Sequence, residues 1–262
     1  MFVLIILLST GILMYSQADN KRQMPVTTNS KSALSLYKEA MRYYEDVKVE
    51  KALGTFMKAL DQDPDFFMAN YQLSFFYLMN RSSDNFVRYA GAAINCKAKL
   101  SEAEEVLKNV LVTLKGGQTN VVDDGKKLVE MFPFDPDAFN NLVYYQSLVN
   151  DSTGIVETLK KAITVVTRTA PFYNQLGYAY LTLKQNDKAE EAFNKYIELD
   201  PKNPNVYDSK GDFYMYLKKF DKAYESYMLA NSMDSTFSSE KAKAAKALYE
   251  QTEGKKLEII NM

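Results

Sequence analysis

The sequence predicts an all-α fold in which a unit of 34 residues is stacked several times into an α-solenoid. Three observations predict it. Apolar residues recur at steps of three and four from Ala33 onward, and no stretch alternates with period two for long enough to compete. Two segments near the C-terminus match each other at a constant displacement of 34 residues. Ten Gly and seven Pro in 262 residues are too few for a loop-rich β protein.

The N-terminal residues stand apart from this pattern. Phe2 to Tyr15 are almost wholly apolar, and no charged side chain appears before Asp19. A membrane span needs about 20 such residues. The run instead matches the apolar region of a secretory signal, with Ser16 and Ala18 as small residues for cleavage. No Lys or Arg precedes it, and no Cys follows it to take a lipid. Residues 1–18 are therefore expected to be a signal peptide that exports the chain to the periplasm or beyond. An uncleaved membrane anchor is the alternative. Residues 19–32 are polar with one Pro, and are expected to form a flexible linker.

From Ala33 the helices follow in order. Ala103, Val106, Leu107, Val110, Leu111 and Leu114 lie on one helix face. Ser101 with Glu104 forms a capping box before them, and Gly116-Gly117 stops the helix. Polar turns follow at Arg81–Asp84, Asn150–Gly154 and Gln185–Asp187. The repeat itself is clearest in Tyr173-x2-Leu176-Gly177-x2-Tyr180 against Tyr207-x2-Lys210-Gly211-x2-Tyr214. Ala189-x3-Phe193 and Ala223-x3-Tyr227 keep the same displacement, and Pro201 closes the first unit. This resembles the tetratricopeptide repeat, a helix–turn–helix unit of 34 residues.

The resemblance implies a right-handed superhelix of about six hairpins: 33–66, 67–100, 101–136, 137–169, 170–203 and 204–237. Gly177 and Gly211 would face Ala189 and Ala223, so that small residues let the paired helices approach. A single hairpin cannot bury its own apolar face, so neighbours must stack. Residues 238–262 supply a Lys-rich capping helix, about 239–253, and a tail. The middle units depart from the pattern. The second carries Phe86 where a small residue is expected, and the third carries Lys108 and Gly125. Pro64 and Pro201 precede Leu73 and Lys210 by nine residues, but Pro136 precedes Leu142 by six. That spacing predicts a junction turn about three residues shorter, and an irregular superhelix there.

Composition removes most chemistry. Lys+Arg total 32 and Asp+Glu total 33, so no broad basic face exists for nucleic acid. The absence of His excludes a Ser-His-Asp triad and every His-ligated metal site, and one Cys excludes a thiolate cluster. Asp208 and Asp212, four apart on one helix face, could pair as acid and base, but read better as a solvated or ligand-contacting face. No catalytic residue, metal or cofactor is expected.

What remains is a surface. The resemblance turns the first helices of the hairpins inward, to line a groove. The inward positions are Tyr37, Met41 and Tyr44, then Tyr71, Phe75 and Leu78, then Asn140 and Tyr144, then Asn174, Tyr178 and Leu181, and last Asp208, Asp212 and Met215. These grade from aromatic to polar and acidic. Some family members grip a peptide carboxylate with Lys and Arg in the groove, and those residue types are missing at the inward positions here. The expected binding residues are Tyr71, Tyr144, Tyr178, Asn140, Asn174, Asp208 and Asp212. Their partner is a protein or peptide segment of the cell envelope. The alternative is a glycan, with Tyr rings stacked on sugars and Asn or Asp bonding hydroxyls. A membrane partner is expected only if the N-terminal segment is retained. Cleavage is checked by N-terminal sequencing of protein from its native host. The first residue is expected near Ala18 or Asp19, and an intact Met1 would contradict it.

Overall fold

The computed structural model describes residues 23–257 and places them in thirteen α-helices, with no strand among the described residues. The signal segment expected at 1–18 lies outside them. The helices are α1 (Lys31–Glu45), α2 (Val49–Gln62), α3 (Phe67–Met79), α4 (Ser83–Ile94), α5 (Glu102–Lys115), α6 (Val122–Met131), α7 (Pro136–Leu148), α8 (Ser152–Val165), α9 (Ala170–Thr182), α10 (Asn186–Leu199), α11 (Pro204–Tyr216), α12 (Phe220–Met233) and α13 (Ser239–Glu253). They form two compact units. One reaches to Gly154 and holds α1–α7, the other begins at Ile155 and holds α9–α13, and α8 spans the boundary.

One backbone device recurs through both units. Each odd-numbered helix from α1 to α11 ends with an amide bonded five residues back: Lys48 N to Tyr43 O (2.8 Å), Ser82 N to Tyr77 O (2.9 Å), Gln118 N to Thr113 O (3.2 Å), Asp151 N to Gln146 O (3.0 Å), Gln185 N to Tyr180 O (2.9 Å) and Lys219 N to Tyr214 O (2.9 Å). This is the Schellman cap, which needs one residue in the left-handed region. Val47, Arg81, Gly117, Asn150, Lys184 and Lys218 take it, with φ between 56° and 79°. A side chain there costs roughly 1–2 kcal/mol, which the capping bonds offset. Thus even the third hairpin, whose side chains barely match, keeps the turn.

The irregularity lies elsewhere than the proline spacing predicts. The α6–α7 turn spans 132–135, the same length as the α2–α3 turn at 63–66 and the α10–α11 turn at 200–203. All three carry one bond: Phe66 N to Asp63 O (3.1 Å), Asp135 N to Phe132 O (3.1 Å) and Asn203 N to Asp200 O (3.0 Å). Pro133 is therefore the counterpart of Pro64 and Pro201, while Pro136 begins α7 as Pro204 begins α11. The extra residues sit instead between α5 and α6, at 116–121, where the other odd-to-even turns have three. Helix α6 starts late, is short, and packs more extensively on α7 than on α5. Gly125 permits this, because a Cβ there would lie 2.9 Å from Leu142 Cα and 2.8 Å from Tyr145 Cδ2.

In the second unit the packing follows the sequence. Ala189 and Ala223 are fully buried. A Cβ on Gly177 would lie 2.6 Å from the Phe193 ring, and one on Gly211 would strike Tyr227. Helix α13 packs on α12 through Ala242 and Ala245, which join Ala223 and Tyr227 in one cluster. Lys210 stands in the register of Leu176, yet it too is buried. Its ammonium bonds Glu190 (3.1 Å) and Asn194 (2.9 Å) and lies over the Phe213 and Tyr214 rings.

The expected linker is ordered from residue 23. Met24 is buried, and Met24 N donates to Asp135 Oδ2 at 2.5 Å. Thr27 N and Oγ1 both donate to Glu104, at 2.8 and 2.7 Å, and Thr28 Oγ1 donates to Asp63 at 2.5 Å. Ser30 then caps α1. The capping box predicted at Ser101 and Glu104 forms as well, with the carboxylate shared between it and Thr27. A polar segment without apolar periodicity reads as a linker because its partners are 35 to 111 residues away.

Urea denaturation checks the hairpin contact. Gly177→Ala is expected to lose about 1–3 kcal/mol through overpacking against Phe193. Gly54→Ala, exposed on α2 with open space around it, is expected to gain about 0.5–1 kcal/mol. Equal effects would contradict this.

Candidate functional site

Three of the expected binding residues meet in the second unit. Tyr178 lies on α9 and Asp208 and Asp212 on α11, one turn apart. Tyr178 Oη donates to Asp212 Oδ2 at 2.8 Å. Its ring rests edge-on against Phe193, 5.2 Å between centroids, and remains 37% exposed. Sequence reasoning missed three further members. Lys241 of α13 donates to Asp208 (2.8 Å) and to both oxygens of Asp212 (2.9 and 3.1 Å). Tyr227 Oη of α12 donates to Asp212 at 2.6 Å, and Ser238 Oγ donates to Asp208 at 2.5 Å. The only sequence signal for Lys241 was its place at the start of the capping helix.

The electrostatics are those of a clamp. Burial works against the Lys241 ammonium, but hydrogen bonds to Asp208 and Asp212 outweigh it and hold its pKa up. Burial, then the charge of Asp212, raises the Tyr178 hydroxyl; burial, then the bond to Asp212, raises that of Tyr227. Both tyrosines are therefore donors throughout the physiological range. Two carboxylates share one cation, so the cluster keeps a net negative charge beside an open aromatic ring. Such a group can accept donors or a cation from a ligand; with both carboxylates ion-paired, it is ill suited to acid–base work. Asn174, one turn before Tyr178, turns a buried Oδ1 inward that no donor among the described residues reaches.

The first unit is different, and here the expected groove is filled. Tyr71 is 1% exposed, with its hydroxyl between Asn141 Oδ1 (2.5 Å) and Tyr145 Oη (2.7 Å). It belongs to the core, not to a binding face. The neighbouring rings follow it: Tyr37 packs on Phe56 and Phe66, and Phe75 packs on Tyr71, Tyr144 and Tyr145. Tyr144 is half-buried and hydrogen-bonded to Tyr44. Asn140 bonds Asp137. The inward aromatics of α1, α3 and α7 are large enough to meet each other, so they close the space they were expected to line.

Two of the helical hairpins match a known family. Residues 170–203 and 204–237 each match the family described as tetratricopeptide repeat. These two hairpins are tetratricopeptide repeats. Among solved structures the chain is similar to a tetratricopeptide repeat protein from Parabacteroides merdae ATCC 43184, at 14% identity and a TM-score of 0.52, over 84% of this chain and 85% of that one. It is also similar to a thermophilic repeat protein of Thermus thermophilus, at 19% identity and a TM-score of 0.47, over 85% of this chain and 100% of that one. A third is in the APC/C hetero-tetramer Cut9–Hcn1, at 18% identity and a TM-score of 0.46. There 82% of this chain is covered, and it spans 42% of the other. No curated protein matches the sequence. The likenesses concern the fold; the inner-face residues of these tetratricopeptide repeats are this chain's own.

One group of the first unit titrates in an accessible range. Burial, then the charges of Asp135 and Glu45, push the Asp137 carboxyl up to about 7. Its unfolded value is about 4. The folded chain therefore holds this proton over a window in which the unfolded chain has released it. The penalty on folding is absent below about pH 4 and complete above about pH 7. Thermal melts at pH 5 and pH 8 check this. The wild type is expected to lose more stability on that rise than Asp137→Asn does, and equal losses would contradict it.

Proposed function

We propose that the chain is a non-catalytic protein-interaction scaffold of the cell envelope, which binds a partner segment on the inward face of its second unit. The tetratricopeptide fold suggests a protein–protein interaction scaffold, and proteins of this kind are generally non-catalytic. One observation carries the finer reading: Tyr178, Asp208 and Asp212 come together at the inward positions with an open ring and a net negative charge. A hydrogen-bonded tyrosine ring offers contact area at low entropic cost. The remaining lone pairs of Asp208, whose oxygens each take one donor, suit backbone amides or a Lys or Arg of an extended segment. The envelope location rests on the apolar run at Phe2–Tyr15. Among the described residues no helix is long and apolar enough to cross a membrane. No observation favours the glycan alternative, since the Tyr178 hydroxyl is already committed to Asp212.

The test is a displayed peptide library selected on the full chain, followed by titration of the best peptide. Tyr178→Ala with Asp208→Asn is expected to weaken it by about 2 kcal/mol or more, with helix content unchanged. Lys188→Ala, on the outer side, is expected to leave affinity as it was. Unchanged affinity in the first variant, with loss in the second, would overturn the assignment.

A further inference from the structure

The segment at 23–30 is held like a ligand. It carries no charged side chain, and it contacts the first unit through donors of its own. Met24 N and Thr27 N, three residues apart, donate to Asp135 and Glu104, and the hydroxyls of Thr27 and Thr28 donate to Glu104 and Asp63. The three acceptors belong to three separate turns: Asp63 caps the C-terminal end of α2, Glu104 lies in the first turn of α5, and Asp135 caps the N-terminal end of α7. Glu104 is 0% exposed and Asp135 4%. A buried carboxylate is costly unless donors surround it. Glu104 takes donors from Ser101 within its own helix cap and from Thr27 outside it. When the segment leaves, these carboxylates lose partners that only another donor-rich strand or water can replace.

We propose that Asp63, Glu104 and Asp135 form a peptide-docking strip in the first unit, which this chain's own residues 24–28 occupy as an intramolecular ligand. The strip takes an extended, uncharged segment. It is read through two backbone N–H groups three residues apart and two adjacent hydroxyls, with a buried apolar side chain at the first position. It is separate from the inward face of the second unit, and neither depends on the other. Because the occupant is tethered, its effective concentration is of millimolar order, and a free segment of the same chemistry competes poorly until the tethered one is released.

The experiment uses the full chain and a fluorescent peptide of the sequence at 23–30, Gln-Met-Pro-Val-Thr-Thr-Asn-Ser. Thr27→Pro removes both the N–H and the hydroxyl that reach Glu104, while leaving the strip intact. The variant is expected to bind the peptide at least tenfold more tightly than the wild type. The same peptide with proline at its first threonine is expected not to bind. A folded Thr27→Pro chain that binds no better than the wild type overturns the proposal, as does equal binding of the proline peptide. Amide exchange on the wild type keeps the idea testable if the variant does not fold. The amides of Met24 and Thr27 are expected to open while α5 stays protected. Exchange of these two amides only with unfolding of the whole unit makes the segment a fixed part of the core and also overturns it.

Discussion

The close contact between the two helices of a hairpin is the constraint on which the second unit depends. It holds because Gly177 and Gly211 offer no Cβ to the rings of Phe193 and Tyr227. The same contact builds the inner face. Phe193, drawn over Gly177, becomes the wall against which Tyr178 stands edge-on. Tyr227, drawn over Gly211, brings its hydroxyl to Asp212. Packing residues and binding residues are thus one arrangement, and a change to either glycine would move the polar cluster as well as loosen the hairpin.

The two units solve the problem of acidic side chains in different ways. In the first, Glu104 and Asp135 are buried and satisfied by backbone amides, both from their own helix starts and from the N-terminal segment. In the second, Asp208 and Asp212 stay partly exposed and are satisfied by a lysine and two tyrosines. The first arrangement is covered by the N-terminal segment, so little of it faces water while that segment is in place. The second leaves a charged, aromatic surface that a partner can reach.

Much of the fold was legible because its signals are local. The displacement of 34 and the Ser101–Glu104 box each lie within one unit and are present as read, while Gly177 and Gly211 are closely packed as expected but against the rings of Phe193 and Tyr227. The errors arose where two local signals compete or where partners are distant. Pro133 and Pro136 stand three apart, and only the backbone shows which closes the turn. Tyr144 and Tyr178 hold matching inward positions, but Tyr144 packs on Phe75 and bonds Tyr44 while Tyr178 meets solvent, which depends on neighbours across the unit. Lys241 lies 29 and 33 residues from its carboxylates, and Met24 lies 111 from Asp135, too far for any spacing argument.

Lys241 belongs to the helix that ends the stack, and this ties the number of units to the charge of the inner face. Inserting another hairpin between α12 and α13 would carry the lysine away and strand two neighbouring carboxylates. Deleting the last hairpin would bring it against Asn174 and Tyr178, where no carboxylate waits. Growth or loss of repeats by duplication, the ordinary route by which such arrays change length, is therefore not neutral at this end of the molecule. It would need a compensating change in α13 at the same step.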